Sequence, residues 1–240
     1  MPVAVEDQAL YAVVSGAKPA TVTDVIARMQ SIDAMLGDDD GLKWFNRLYL
    51  RVTQAVDLQP ATAWKDAEWL LALDVVFAGL YFDAVAAYLA GSSSVPGSWQ
   101  AVMEARHRQG IDRIQFALAG MNAHINHDLT FALLKTNAQR GVTPAVGSPQ
   151  YADYEAVNQL LQQLMPEELQ MLATDALGVL AQDTGKAGRL LAFWNICAAR
   201  DLAWQFADSL RTLPDVAHLA ATTTQDQMTG VVGRAILAFA

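Results

Sequence analysis

With 240 residues, 53% of them apolar and 17% charged, the chain can bury one substantial core and is too apolar to be disordered or a coiled coil. Its net charge is −9 and it has no basic run, which argues against nucleic acid as a partner, since such binding needs clustered cations against phosphate. A single cysteine, Cys197, excludes an intramolecular disulfide, and the opening MPVAVEDQAL lacks the pattern of a signal peptide, so a reduced cytoplasm is the simplest expectation.

In chain order, residues 1–20 show no helical period and read as an irregular N-terminal arm. The spacing of Val25, Ile26, Met29, Ile32, Met35 and Leu36 predicts a helix capped at Thr21 or Thr23 and stopped at Gly37. The acidic turn 38–40 suits the start of a helix over about 42–56, which carries Trp44, Phe45, Leu48, Tyr49 and Val52 on one side. After Pro60 a long apolar helix is expected over about 62–90. It is long enough to cross a membrane, but Asp74, Asp83 and the lack of a basic flank favour a buried helix, and no membrane span is expected.

The segment GSSSVPGS, 91–98, reads as a loop between packed helices, and Ser98 caps a helix running toward Gln109. Gly110 interrupts the chain before a central helix over about 111–137, which ends near GVTPAVGSP, 141–149. Two helices, 151–164 and 166–181, are expected next, with Pro166 in the first turn of the second. A turn at 183–186 leads to a long helix over 189–210, and Pro214 breaks it. Thr222, Thr223 or Thr224 then caps a terminal helix ending in AILAFA, which would dock on the core or on a second subunit, leaving a homodimer open. No hairpin signal or internal repeat is present. The reading is all-α: a single-domain bundle of seven to nine helices around the buried central one.

That central stretch, RIQFALAGMNAHINHDLTFALL, is apolar on nearly every side yet packs two asparagines, two histidines and an aspartate into 122–128. Buried polar groups are expensive unless satisfied or used. At about 100° per residue, Arg113, Ala117, Gly120, His124, Asp128 and Phe131 form one stripe, while His127 falls on another side with Phe116 and Ala123. Ala117 and Gly120 leave either room for a ligand or close contact with a neighbouring helix. His124 and Asp128, four apart, face the same space, with His124 as general acid or base and Asp128 setting its tautomer. Arg113, Gly120, Asn122, Asn126 and His127 complete the candidate site as substrate-binding groups that orient or polarise a carbonyl.

The run GMNAHINHDL, 120–129, resembles the hallmark of a bacterial all-helical family known only as a domain of unknown function. LDVVFAGLYFDA, with Phe77, Tyr81 and Phe82, and FWNICAARDLAWQFA at 193–207 are also similar to its members. The resemblance covers roughly 40–210. It implies a helical fold and a polar core at His124, Asn126 and Asp128, and no particular reaction.

Other chemistries find less support. His-x-x-x-Asp can supply two ligands to a divalent metal such as zinc, with Asp74, Asp83 or His107 as a third. The same spacing occurs in an all-helical zinc phospholipase C and nuclease family, but that family needs more than the four histidines present here. Glu104-Ala-Arg-His107 stands alone, whereas di-iron bundles use two such units. There is no nucleophile elbow, phosphate loop or C-x-x-C pair. Cys197 reads as an inert core thiol. Arg113 and Arg200, both in apolar helices, are expected either to pair with Asp74, Asp83 or Asp201 or to anchor a substrate carboxylate or phosphate. The sequence therefore leads to a small-molecule enzyme with an apolar pocket between helices, no cofactor, and His124 and Asp128 doing isomerisation, cyclisation, elimination or hydrolysis. Its alternatives are a single-metal hydrolase and a non-catalytic binding protein with a structural polar core.

Overall fold

Helix α2 (Val22–Met35) begins where Thr21 and Asp24 cap each other: the Thr21 hydroxyl accepts from the Asp24 amide, and the Asp24 carboxylate accepts from the Thr21 amide. Asp40 caps α3 (Gly41–Asp57) by accepting from the Leu42 amide. These starts follow the sequence reading. A computed structural model describes residues 3–172 and 195–238. The arm at 1–20 is not irregular throughout, because α1 (Gln8–Val14) forms there behind a short 3-10 turn. Only Leu10 and Val14 of α1 are fully buried, with Tyr11 and Val13 partly covered, a short set that raises little helical period.

Past a 3-10 turn at Ala61–Ala63 runs α4 (Ala67–Leu89), long and apolar enough to cross a membrane by length and composition, with 44% of its most apolar window buried inside the bundle. Asp153 ties down its start by accepting from the amides of Lys65 and Asp66. After the serine loop comes α5 (Gly97–Ala105), then the central helix α6, which spans 113–140. Pro166 does not split the following segment: α7 (Pro149–Leu172) runs through it as one helix. The remainder of the expected 166–181 helix and the 183–186 turn lie outside the described residues. So does the start of the expected 189–210 helix. Its described part is α8 (Ile196–Leu210), whose N-cap is Asn195, in an extended conformation and accepting from the Ala198 amide. The last helix, α9 (Asp215–Ala238), starts right after Pro214 rather than at the threonines. Thr222 does not cap it; its hydroxyl bonds back to the carbonyls of His218 and Leu219. No strand occurs among the described residues.

Among the described residues nine helices (α1 to α9, with 113–140 counted once) make an all-α bundle around α6. The first part of α6 packs on α3 and α9, and its second part on α4 and α8. Ile114, Ala117, Leu118, Met121, Ile125, Leu129, Ala132 and Leu133 are all buried along it. Trp99, Tyr81, Phe45 and Phe82 surround it as fully buried rings, each contributing roughly 1.5–3 kcal/mol of burial. The described end of the last helix docks on this core: Ile236 and Leu237 are buried, and the Gln115 side chain donates to the Ile236 carbonyl.

Candidate functional site

The central helix is not α-helical throughout. Between Arg113–Ala123 and Leu129–Arg140 it widens into one π-helical turn, His124–Asp128, in which the Leu129 amide reaches back to the His124 carbonyl. Such turns are frequent at functional sites. The widening changes which side chains meet. A regular helix separates His127 from His124, whereas here both histidines reach one carboxylate. His124 Nδ1 lies 2.9 Å from Asp128 Oδ2, and His127 Nδ1 lies 2.9 Å from Asp128 Oδ1. Trp99 Nε1 also donates to Asp128 Oδ2, at 2.8 Å. The contact continues outward, with His127 Nε2 3.6 Å from Asp226 Oδ1 on α9. Asp226 in turn accepts from the Gly97 and Ser98 amides and the Ser98 hydroxyl, capping α5 from a different helix.

A carboxylate can only accept hydrogen bonds, so Asp128 fixes the proton of His124 on Nδ1. That leaves Nε2 as a bare acceptor, and it is buried without a partner. Phe77 stacks flat on the imidazole at 3.5 Å between centroids, and Tyr49 meets it edge-on at 4.4 Å. His124 lines a cavity of about 40 Å³, room for on the order of three waters. The wall is mostly apolar, including Val52, Leu70, Leu73, Met121 and Leu129; its polar members are His124, Asp74, Thr53, Tyr49 and Arg200. A second unpartnered buried atom, Asp74 Oδ2, belongs to the same cavity.

Burial lowers the pKa of His124 and outweighs the opposing pull of Asp128, so the ring is neutral at about pH 7. Burial also pulls on His127, but there the Asp128 hydrogen bond and the charges of Asp128 and Asp226 prevail and its pKa rises. Asp128 itself is pushed up by burial and then held below the ordinary carboxylate value by bonds from both histidines. Asp74 behaves oppositely: burial raises it to about 7, against the attraction of Arg200 and with help from the charge of Asp57. Folded protein thus keeps a proton on Asp74 that the unfolded chain releases near pH 3.8, and stability is lost as pH rises through about 7. Asp74→Asn is therefore expected to be more stable than the parent at about pH 8, by on the order of 1–3 kcal/mol, and indistinguishable from it below about pH 4. Denaturant titrations across that range check this, and parallel curves would contradict it.

The other sequence candidates are spread out. Arg113 begins the helix eleven residues before His124, about 16 Å along the axis. Its guanidinium lies 4.2 Å from the Trp44 ring and near Asp38 at the surface, away from the cavity. Gly120 is the close-contact case rather than ligand room, since an added Cβ would sit 2.4 Å from Phe45 Cγ. Gly120→Ala is expected to lower stability by about 1–3 kcal/mol through overpacking, measured by thermal or chemical unfolding. Asn122 donates to the Thr229 carbonyl and accepts from Asn126, so both asparagines join α6 to α9. Gln225 adds to that seam through the Asn126 carbonyl.

Metal ligation finds no ready set: among the described residues no three His, Cys, Asp or Glu side chains converge for a metal ion. His124 and Asp128 bind each other; Asp83 pairs with Lys18, and His107 is exposed. Cys197 is half-buried beside Asn158 and Gln162. Sequence reasoning missed Trp99 and Asp226 altogether. Both come from distant segments, and only the polar run TTTQDQ at 222–227 hinted at a role for α9.

Comparison with curated proteins and with solved structures finds no match. A family model described as a family of unknown function, DUF5995, matches residues 22–239, nearly the whole bundle. The resemblance to an all-helical domain family of unknown function therefore holds, and the chain belongs to the DUF5995 family.

Proposed function

We propose that the protein is an enzyme acting on a small, largely apolar molecule in the cavity beside α6, with His124 as general base. The observation that carries this reading is the His124 imidazole: Nδ1–H is fixed by Asp128, while Nε2 is buried, unpartnered and part of a cavity wall. A buried acceptor is a standing cost unless a donor reaches it from the cavity, from water or from a ligand that displaces it. Nε2 takes a proton from a C–H or O–H of the substrate, whose electron pair stays behind on carbon or oxygen. Asp128 stabilises the imidazolium that results, and His127 and Trp99 hold Asp128 in place. Asp74, protonated up to about pH 7, is placed in the same cavity to return a proton.

The smallest reaction such a base performs is hydrogen exchange. Incubation in D₂O with a panel of small ketones, aldehydes and carboxylic acids, followed by proton NMR, should show loss of an α-proton signal with the native protein. The same panel with His124→Phe should show only buffer-level exchange. Equal exchange by both proteins would remove His124 from the chemistry.

A further inference from the structure

Arg200 is buried, with 6% of its surface exposed, and it belongs to the cavity wall. Its Nε donates to Asn158 Oδ1 at 2.7 Å and its Nη2 to the Tyr154 carbonyl at 3.0 Å, while the guanidinium lies over the Tyr154 ring at 4.2 Å. All three partners are neutral. Among the described residues no carboxylate comes within 4.0 Å of it, although sequence reasoning offered Asp74 and Asp201 as ion-pair partners. Arg106, also buried, makes the contrast: it pairs with Asp40 at 2.6 Å and with Asp7 at 3.0 Å. A guanidinium has five N–H donors, so the fork of Arg200 is held in one orientation with donors to spare.

We propose, resting on the reading of His124 as the base, that the cavity takes a short-chain carboxylic acid as its anion, with the carboxylate on Arg200 and the carbon chain along the apolar wall toward His124. Among the described residues Arg200 meets carboxylate charge only at longer range, from Asp74 and Glu155, and a ligand carboxylate would add two parallel hydrogen bonds at contact distance. Asp74, held protonated near neutrality, neither cancels Arg200 nor repels the incoming anion, and can donate to it. The single cation fits a monoanion, and the cavity, with room for about three waters, admits its carbon chain only by displacing those waters and parting the apolar wall. A phosphate, bulkier and doubly charged, would have one guanidinium and an ionisable Asp74 to meet.

The test uses the intact protein at about pH 6 and follows binding of sodium butyrate, butyramide and n-butylamine by calorimetry and saturation-transfer NMR. Butyrate is expected to bind at least about tenfold more tightly than the amide or the amine. Arg200→Gln should abolish that preference, and Arg200→Lys should retain part of it. If Arg200→Gln fails to fold, the comparison of the three compounds on the native protein still decides. Equal binding of butyrate and butyramide, or butyrate affinity untouched in Arg200→Gln, overturns the proposal. The two readings separate cleanly in their failures. Butyrate preference kept in His124→Phe, with no exchange in either protein, retains the anion site and removes the base. Exchange that depends on His124 without any preference for butyrate retains the base and removes the anion site.

Discussion

Replacing Asp128 with alanine is expected to destabilise the protein by about 3–5 kcal/mol, the range for removing one partner of a buried charged network. The magnitude follows from how many donors depend on that carboxylate. Trp99 Nε1, His124 Nδ1 and His127 Nδ1 all end on it, and Asp128 is 2% exposed, so water cannot substitute. The histidines can move a proton to the other nitrogen, but the indole cannot, and Trp99 is wholly buried against Phe45 and Tyr81. Asp128→Asn keeps the shape yet turns one acceptor into a donor facing donors, and should lose about 1–3 kcal/mol. Chemical denaturation of both variants beside the parent measures this. A loss below about 1 kcal/mol in Asp128→Ala would mean that the three bonds contribute little and that Asp128 does not organise the site.

His124→Phe should have the reverse profile, with a small effect on stability and a large one on chemistry. The ring stacks on Phe77 and sits among Phe45, Tyr49 and Tyr81, an environment that accepts a phenyl group. The variant loses one hydrogen bond to Asp128, which keeps its bonds from His127 and Trp99, and it also removes the orphaned Nε2. The net change in stability is expected to stay within about 1.5 kcal/mol. Loss of a general base lowers proton-transfer rates by about 10²–10⁴-fold. A purely structural polar core predicts the opposite pairing, a clear loss of stability with ligand behaviour changed only through unfolding. Measuring unfolding and exchange on the same preparation tells the two apart.

Much of the fold can be read from the sequence because its helix starts rest on local chemistry. Thr21 with Asp24, Asp40 before Gly41, and the glycine and proline breaks act within a few residues of where they sit. Elements escape where the signal is weak or a neighbour overrides it. Helix α1 fully buries only Leu10 and Val14, and Pro166 is carried through a helix already formed on both sides. The candidate site divides in the same way. The four-residue spacing of His124 and Asp128 brings them together in any helix, so that pair is visible in the sequence. The meeting of His127 with the same carboxylate depends on the π turn, which a uniform 100° step does not contain. Trp99 and Asp226 reach the site through packing of distant helices, with only the polar run around Asp226 as a local sign; Arg200, visible in the sequence as an arginine in an apolar helix, is brought to the cavity by the same packing. Gly120 could be read either way from its size, and the Phe45 ring decides it.

The most direct test of the account is the protonation state of His124. Nitrogen-15 NMR of histidine-labelled protein, followed from about pH 5 to about pH 8, resolves which ring nitrogen carries the proton. The account predicts a His124 that is neutral at about pH 7, protonated on Nδ1, with a bare Nε2 that titrates below His127 and shifts when a cavity ligand is added. A proton on Nε2, or a doubly protonated ring at about pH 7, would contradict it, because Nε2 could then accept nothing from a substrate.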